Sequence, residues 1–212
     1  MDIMGKIIIK NRIFTFEDIE LTYENATAID PSVAKQNLLE FKKVMDGQGV
    51  RFLLMHGTLL GAIREHGFIK HDIDIDTCTL EEQKLIEAIP ALYEAGLKLC
   101  RYEPHLIYSF IRKGVYIDVY IVNKLQGLIK PFYVRYLNRI IPRKYFRFTK
   151  KMRFLDTEFH IPNHCLSLLE FWYGKDWRTP QSNSPSNDED PRGTHLEKHM
   201  RFLFRPIHKI IK

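Results

Sequence analysis

Residues 72–76 read Asp-Ile-Asp-Ile-Asp, three acids at every second position with isoleucines between them. A strand sends alternate side chains to opposite faces. The pattern therefore predicts Asp72, Asp74 and Asp76 on one face, with Ile73 and Ile75 in a core. Few folds tolerate such a face. Carboxylates in register on a half-buried surface repel one another and resist desolvation unless something positive sits among them. Side chains two apart on a strand start roughly 6.5–7 Å apart at the backbone. Bent inward, two such carboxylates suit divalent cations about 3.5–4 Å apart, the spacing of two-metal phosphoryl-transfer sites.

A further acid lies inside an apolar strand pattern. In "VYIDVYIVN" (115–123), Asp118 shares a face with Tyr116 and Tyr120, while Ile117 and Val119 point the other way. An acid there is costly unless paired or metal-bound. If the two strands are neighbours, Asp118 joins the same site, and four hard oxygen donors favour Mg²⁺ or Mn²⁺. A calcium loop does not fit: with Asp72 at its first position, Thr77 stands where glycine is required and Gln83 where glutamate is required.

One acid-x-acid pair is most often a solvated edge, so the chemistry needs a second signal. "VRFLLMH" (50–56) reads as a buried strand, and Gly57-Thr58 follows it at once, opening a short helix to Arg64 or Glu65. Glycine at a strand end lets a ligand approach the backbone, and free N–H groups at a helix start suit a phosphate. Thr58 offers a hydroxyl, and Arg64 offers a bidentate phosphate contact or an ordinary surface ion pair. A lone Gly-Thr pair is usually a turn. Strand, Gly-Thr, helix, alternating-acid strand and a further strand acid form a specific set.

The rest of the chain supplies a scaffold. "KIIIKNRIFTF" (6–16) predicts a hairpin turning at Lys10-Asn11. Asp30-Pro31 starts a helix in which Ala34, Leu38, Phe41 and Met45 recur at helical spacing, with Gly47 at its end. "IKHDIDIDTCT" (69–79) is the acidic strand, and Thr79 with Glu82 predicts a capping box for a helix through about Ala95, kinked or divided at Pro90 and closed by Gly96. Three strands follow in "LKLCRYE", "LIYSFIR" and "VYIDVYIVN", the last two joined at Lys113-Gly114. "CLSLLEFWYG" (165–174) is a short apolar helix. About five strands and their helices predict a mixed sheet with helices packed on it, and pattern alone leaves α+β and α/β both open. The expected organisation is one domain over 1–180, then a linker and basic tail over 181–212.

Charge is distributed unevenly. The net charge is +6, yet ten Lys/Arg residues and no acid lie between Asp118 and Asp156, which leaves the remainder at −4. Arg135, Arg139 and Arg143 recur at i, i+4 and i+8 beside Phe132, Tyr136 and Ile140, predicting a basic helical arm over about 124–153. Such an arm is a solvated face, a contact for an anionic membrane, or a grip on an anionic acceptor. Basic residues among aromatics also suit single-stranded nucleic acid, but no nucleic-acid-binding motif accompanies them. Three cysteines without metal spacing, an apolar run of only three near the start and no stretch of roughly 20 apolar residues predict a cytoplasmic location, peripheral to a membrane at most. His105, Trp172, Tyr173 and Trp177 remain as secondary candidates: His105 as a strand-end His, Trp172 and Tyr173 for core packing or stacking, and Trp177 for a site wall.

"GTLLGAIREHGFIKHDIDID" (57–76) resembles the signature of the LicD family of phosphocholine and fukutin-related phospho-alcohol transferases, within the nucleotidyltransferase superfold. "FHIPNHCLSLLEFWYGKDWRTP" (159–180) is similar to that family's second block, so the likeness spans most of 50–180. The resemblance implies an α+β, nucleotidyltransferase-type mixed sheet flanked by helices. It also implies a metal-dependent transfer from a nucleotide-activated donor, usually a CDP-alcohol, to a hydroxyl of a glycan. Carried over, Asp74 and Asp76 are the metal-ligand pair and Asp118 the third carboxylate. Asp72 holds metal or shapes the site, Gly57 and Thr58 form the donor-phosphate turn, and Arg64 is the signature arginine. His71 stands where the family commonly has tryptophan, which changes one wall of the pocket. Two rivals remain: an NTP-dependent nucleotidyltransferase acting on a small hydroxyl acceptor, and a non-catalytic glycan- or membrane-binding module.

Overall fold

The computed structural model describes residues 3–19, 27–137 and 139–180. The linker and tail read over 181–212 lie outside the described residues. The chain opens on an antiparallel hairpin, β1 (Ile3–Ile9) and β2 (Arg12–Asp18), with Lys10 and Asn11 both at positive φ in its turn. Helix α1 (Pro31–Gly47) follows; the Asp30 carboxylate accepts from the Ser32 and Val33 amides at 2.7 and 3.1 Å, as the Asp-Pro start predicts.

The central sheet has the order β3 (Phe52–Leu54), β4 (Asp74–Thr79), β7 (Val115–Lys124), β6 (Ile107–Arg112), β5 (Lys98–Glu103). Only β4 and β7 run parallel; the other pairs are antiparallel, so the fold is α+β with a mixed sheet. Ile75, Ile117, Val119 and Phe110 fill one face. The helix α1 covers it, with Phe41 against Phe110 and Phe52. Helix α3 (Glu82–Glu94) packs beside α1, and Gly96 at φ 80° closes it. Alternation then turns Asp74, Asp76, Asp118 and Ser109 to the opposite face.

Helix α2 (His56–Arg64) crosses from β3 to the turn that leads into β4. Its Gly61 lies against that turn: a Cβ there would sit 2.5 Å from the Gly67 carbonyl oxygen and 3.1 Å from the Ile69 nitrogen. Both are backbone atoms and cannot swing aside. Gly61→Ala should therefore destabilise the protein by about 1–3 kcal/mol in denaturant unfolding, through overpacking. An unchanged midpoint would show that the turn gives way freely.

Four expectations need correction. The acidic strand starts at Asp74, not Ile69; residues 70 and 71 are in a turn, and the Asp72 amide donates to the Ile69 carbonyl. Asp72 thus reaches the acidic face from a turn rather than by strand alternation. The Thr79–Glu82 capping box does not form, because Thr79 is still paired in the sheet and its hydroxyl donates to the Arg51 carbonyl. Glu82 instead binds the His105 amide, the His105 ring and the Tyr108 hydroxyl. Pro90 sits within α3 without dividing it.

The largest correction concerns the basic arm, which is not a helix. It forms β8 (Tyr133–Tyr136) and β9 (Arg139–Pro142), a hairpin that extends the sheet from the end of β7, then the single turn α4 (Lys144–Arg147). A second antiparallel pair follows in β10 (Thr149–Phe154) and β11 (Thr157–Pro162). Val134 and Tyr136 are buried and alternate with half-buried Tyr133 and exposed Arg135, a period of two that suits a strand paired with β7. Arg135 and Arg139 therefore lie on different strands, Arg135 opposite Ile140 and Arg139 opposite Tyr136. The apolar helix α5 (Cys165–Tyr173) is as expected and ends at Gly174, at φ 90°.

Candidate active site

The parallel register of β4 and β7 sets Asp76 directly beside Asp118 and Asp74 beside Tyr116. Neighbouring strands lie about 4.8 Å apart, so the first two carboxyls start within reach of one another. Asp72 joins them from the preceding turn, and the tip of its carboxyl lies against the Cα side of Gly57. A Cβ on Gly57 would stand 2.7 Å from Asp72 Oδ2 and 3.0 Å from Oδ1. Glycine is what leaves room for the third acid.

Asp76 is held from two sides by the start of α2. The Gly57 amide donates to Asp76 Oδ2 at 2.9 Å, and the Asp76 amide donates to the Thr58 hydroxyl at 2.8 Å. Thr58 is fully buried, so its hydroxyl fastens strand to helix. Arg64 turns elsewhere: Nε donates to Glu65 at 2.6 Å and Nη1 to the Trp177 carbonyl at 3.0 Å. The structure brings Asp72, Asp74, Asp76, Asp118, Gly57 and Thr58 together. It pairs Arg64 with its sequence neighbour, and His71 is exposed in the turn.

The acids are under electrostatic stress. Burial, then Asp118 and Asp72, pushes the Asp74 carboxyl up to about 7. Burial pushes Asp72 up to about 6 against the Ile73 amide, which favours its charged form. Asp76 is raised further by burial and by all three companions, against the Gly57 amide. Asp118 is raised by burial, with Ser109 and Arg101 pulling the other way. No ion pair among the described residues reaches any of the four. Among the described residues, Asp72 Oδ2 and Asp118 Oδ1 are buried without a hydrogen-bond partner. Such a donor set, all oxygen and short of positive charge, fits a hard divalent cation. Among the described residues no three carboxylate, His or Cys side chains close a cage by themselves.

An aromatic wall borders the acids. His56, at φ 40°, directly precedes Gly57. Its Nε2 is 2.7 Å from the Tyr136 hydroxyl, and its ring lies 5.1 Å from both Tyr120 and Trp172. Burial holds the imidazole down at about 4, so it is neutral at physiological pH. Trp172 Nε1 is another buried polar atom without a hydrogen-bond partner among the described residues. The Tyr173 hydroxyl is raised by burial and then by Asp76, Asp72 and Asp74, which puts it within the field of the acidic cluster. His56 was not a candidate from sequence; its only signal is its place before the Gly-Thr pair. Trp177 lies in the core, and His105 faces Glu82.

With this geometry in hand, residues 49–164 match the family described as LicD/FKTN/FKRP, nucleotidyltransferase domain, which is more than half of the chain. The chain belongs to the LicD family. The matched residues hold all four aspartates and the Gly57 turn, while Trp172 and Tyr173 lie beyond them. Among curated LicD relatives, the ribitol-5-phosphate transferase FKTN of Mus musculus is 28% identical over 157 residues, covering 69% of this chain and 33% of that protein. The same protein from Homo sapiens gives the same identity and coverage. The chain thus spans about a third of the length of these relatives. A solved lincosamide antibiotic adenylyltransferase, LnuA with lincomycin bound, aligns at a TM-score of 0.46 and 14% identity over 65% of this chain and 85% of that one.

Proposed function

We propose that this LicD-family chain is a divalent-cation-dependent enzyme that moves a phospho-alcohol or phospho-sugar from a nucleotide-activated, CDP-linked donor to a hydroxyl of a cell-surface glycan or its precursor. The observation that carries the reading is the in-register pair Asp76 and Asp118, joined by Asp74 and Asp72 beside the Gly57 turn. Family membership and the phospho-alcohol named in the curated relatives support the transferred group.

In this reading Asp74 and Asp76, with Asp118 and Asp72 at their margins, hold Mg²⁺ or Mn²⁺. A cation held there would supply positive charge against the diphosphate and make the acceptor hydroxyl more acidic. The chain's own groups do the positioning. The Gly57 amide and the Thr58 hydroxyl fix the Asp76 carboxyl and backbone, so its second oxygen keeps one direction. Asp118 Oδ1, buried and unpartnered, takes the proton of the acceptor hydroxyl. The acceptor oxygen then bonds to the phosphorus that carries the alcohol, and the bond from that phosphorus to the CMP oxygen breaks. His56, neutral and wedged among Tyr120, Tyr136 and Trp172, walls the acids without adding charge. The reading also includes peripheral work at the cytoplasmic face of an anionic membrane. No helix among the described residues is long and apolar enough to cross one.

The donor is tested by thermal unfolding with Mg²⁺ against CDP-choline, CDP-ribitol, CDP-glycerol, CTP, ATP and UTP. A ligand at about 100 times its Kd adds roughly 2.7 kcal/mol, a visible shift. Stabilisation by one CDP-alcohol is expected. Stabilisation by a triphosphate alone would replace the reading with a nucleotidyltransferase, and silence from every nucleotide would favour a glycan-binding module. Gly57→Ala supplies a sharper check. Its Cβ must displace the Asp72 carboxylate, so affinity for Mg²⁺ with donor should fall about tenfold or more while stability changes by under about 1 kcal/mol. Undiminished affinity would remove Asp72 from the site.

A further inference from the structure

The basic segment, folded as a hairpin and one turn of helix, leaves large apolar side chains exposed. The loop before β8 exposes Leu128 at 96% and Phe132 at 66%, and Phe148, just after α4, is exposed at 58%. Hydrogen bonds tie this loop to Arg143, at the start of α4. The Arg143 amide donates to the Phe132 carbonyl at 2.7 Å, and Arg143 Nη1 reaches the Lys130 carbonyl at 3.4 Å. The loop is a defined series of turns, since the Lys130 amide donates to Gly127 and the Phe132 and Tyr133 amides both donate to Ile129. Lys130, Lys144 and Arg147 are exposed in the same segment, and the Arg147 guanidinium lies 5.1 Å from the centre of the Phe148 ring. No acid occurs anywhere between Asp118 and Asp156.

Exposed leucine and phenylalanine in a hydrogen-bonded turn, within a segment rich in cations and without acids, match the interface of a bilayer. There apolar side chains enter the acyl boundary while Lys and Arg meet the phosphates. A solvated face does not need the apolar tips, and a grip on a soluble polyanion does not use them. We infer that Leu128, Phe132 and Phe148, with Lys130, Arg143, Lys144 and Arg147, form a docking surface for an anionic lipid bilayer. The inference rests on the membrane contact included in the proposed function and assigns it to one loop and one turn of helix. This site replaces the helical arginine stripe expected from the sequence.

The test is co-sedimentation of the full chain with phosphatidylcholine vesicles, with and without phosphatidylglycerol, in the absence of any nucleotide donor. Binding is expected on the anionic vesicles and should weaken with salt. Each surface cation is worth about fivefold in partitioning, so Lys130→Gln with Lys144→Gln and Arg147→Gln should reduce binding about 100-fold. Leu128→Ser with Phe132→Ser, which leaves the charge untouched, should reduce it about tenfold or more. Both variants alter exposed residues, and unchanged thermal unfolding confirms that they fold. No wild-type binding, or equal binding by the Leu128→Ser/Phe132→Ser variant, would overturn the inference. Equal loss by the charge variant on vesicles and on a soluble anionic glycan, with the apolar variant unaffected, would assign the surface to an acceptor instead. Since no donor is present, a negative result here leaves the donor-binding test standing on its own.

Discussion

Asp76→Asn is expected to reduce turnover by at least about 10²–10³-fold and, in the same preparation, to raise the temperature of unfolding. Removing a carboxylate that would hold the cation takes away the positive charge that offsets the phosphate in the transition state, and losses of this size follow from removing one such electrostatic group. The stability gain has a different origin. Asp76 is buried among three other acids, and its charged form is disfavoured by burial and by each neighbour. Asparagine removes that charge yet keeps a carbonyl oxygen able to accept from the Gly57 amide, as the carboxyl does at 2.9 Å. A gain of about 1–2 kcal/mol follows, or a few degrees for a chain of this size. Enzymes that hold like charges together without their ligand commonly show this trade. Turnover within a few-fold of wild type, or a variant less stable than wild type, would contradict the account.

The second large effect is a dependence of stability on pH that runs opposite to ordinary carboxylates. Asp72 and Asp74 are pushed up to about 6 and about 7, while an unfolded aspartate titrates near 3.9. Between those values the folded protein binds more protons than the unfolded chain, so stability falls as pH rises through the window. Below the unfolded value the penalty is absent; above about 7 it is complete, and for Asp72 alone amounts to about 3 kcal/mol. His56 acts in the other direction. Its folded value is depressed to about 4, so it favours the folded state as pH rises towards its unfolded value of about 6.5. Comparing the chelated wild type with Asp74→Asn separates the two, since both proteins keep His56. The variant's advantage should widen from pH 5 to 7.5 and shrink when Mg²⁺ is added to both. A constant gap across that range would mean the acids do not share a common field.

Much of this site was legible because its signals are local. Alternation put Asp74 and Asp76 on one face and Ile75 in the core, and the tyrosines about Asp118 gave its strand the same parity. The Gly-Thr pair after a buried strand located the turn that holds Asp76. What sequence could not supply was which strands are neighbours: the register of Asp76 with Asp118 joins residues 42 positions apart through a crossover. Asp72 shows the limit of periodicity, since it belongs to a turn and reaches the cluster only because Gly57 has no Cβ. The basic segment shows a conflict between periods. Arginines at i, i+4 and i+8 satisfied a helix, but Val134, Tyr136 and Ile141 had a sheet edge to cover, and tertiary burial decided. His56 was hidden for a related reason, as its importance comes from packing against elements distant in sequence.

The central claim is that a phospho-alcohol is transferred and a nucleoside monophosphate leaves. The most direct measurement is phosphorus NMR of the purified chain with Mg²⁺, a CDP-alcohol series, and a glycan acceptor fraction from the cell surface. The account predicts CMP as the released nucleotide, a new phosphodiester on the glycan, and neither product with Asp76→Asn. Release of pyrophosphate from a nucleoside triphosphate, with the nucleoside monophosphate left on the acceptor, would contradict it.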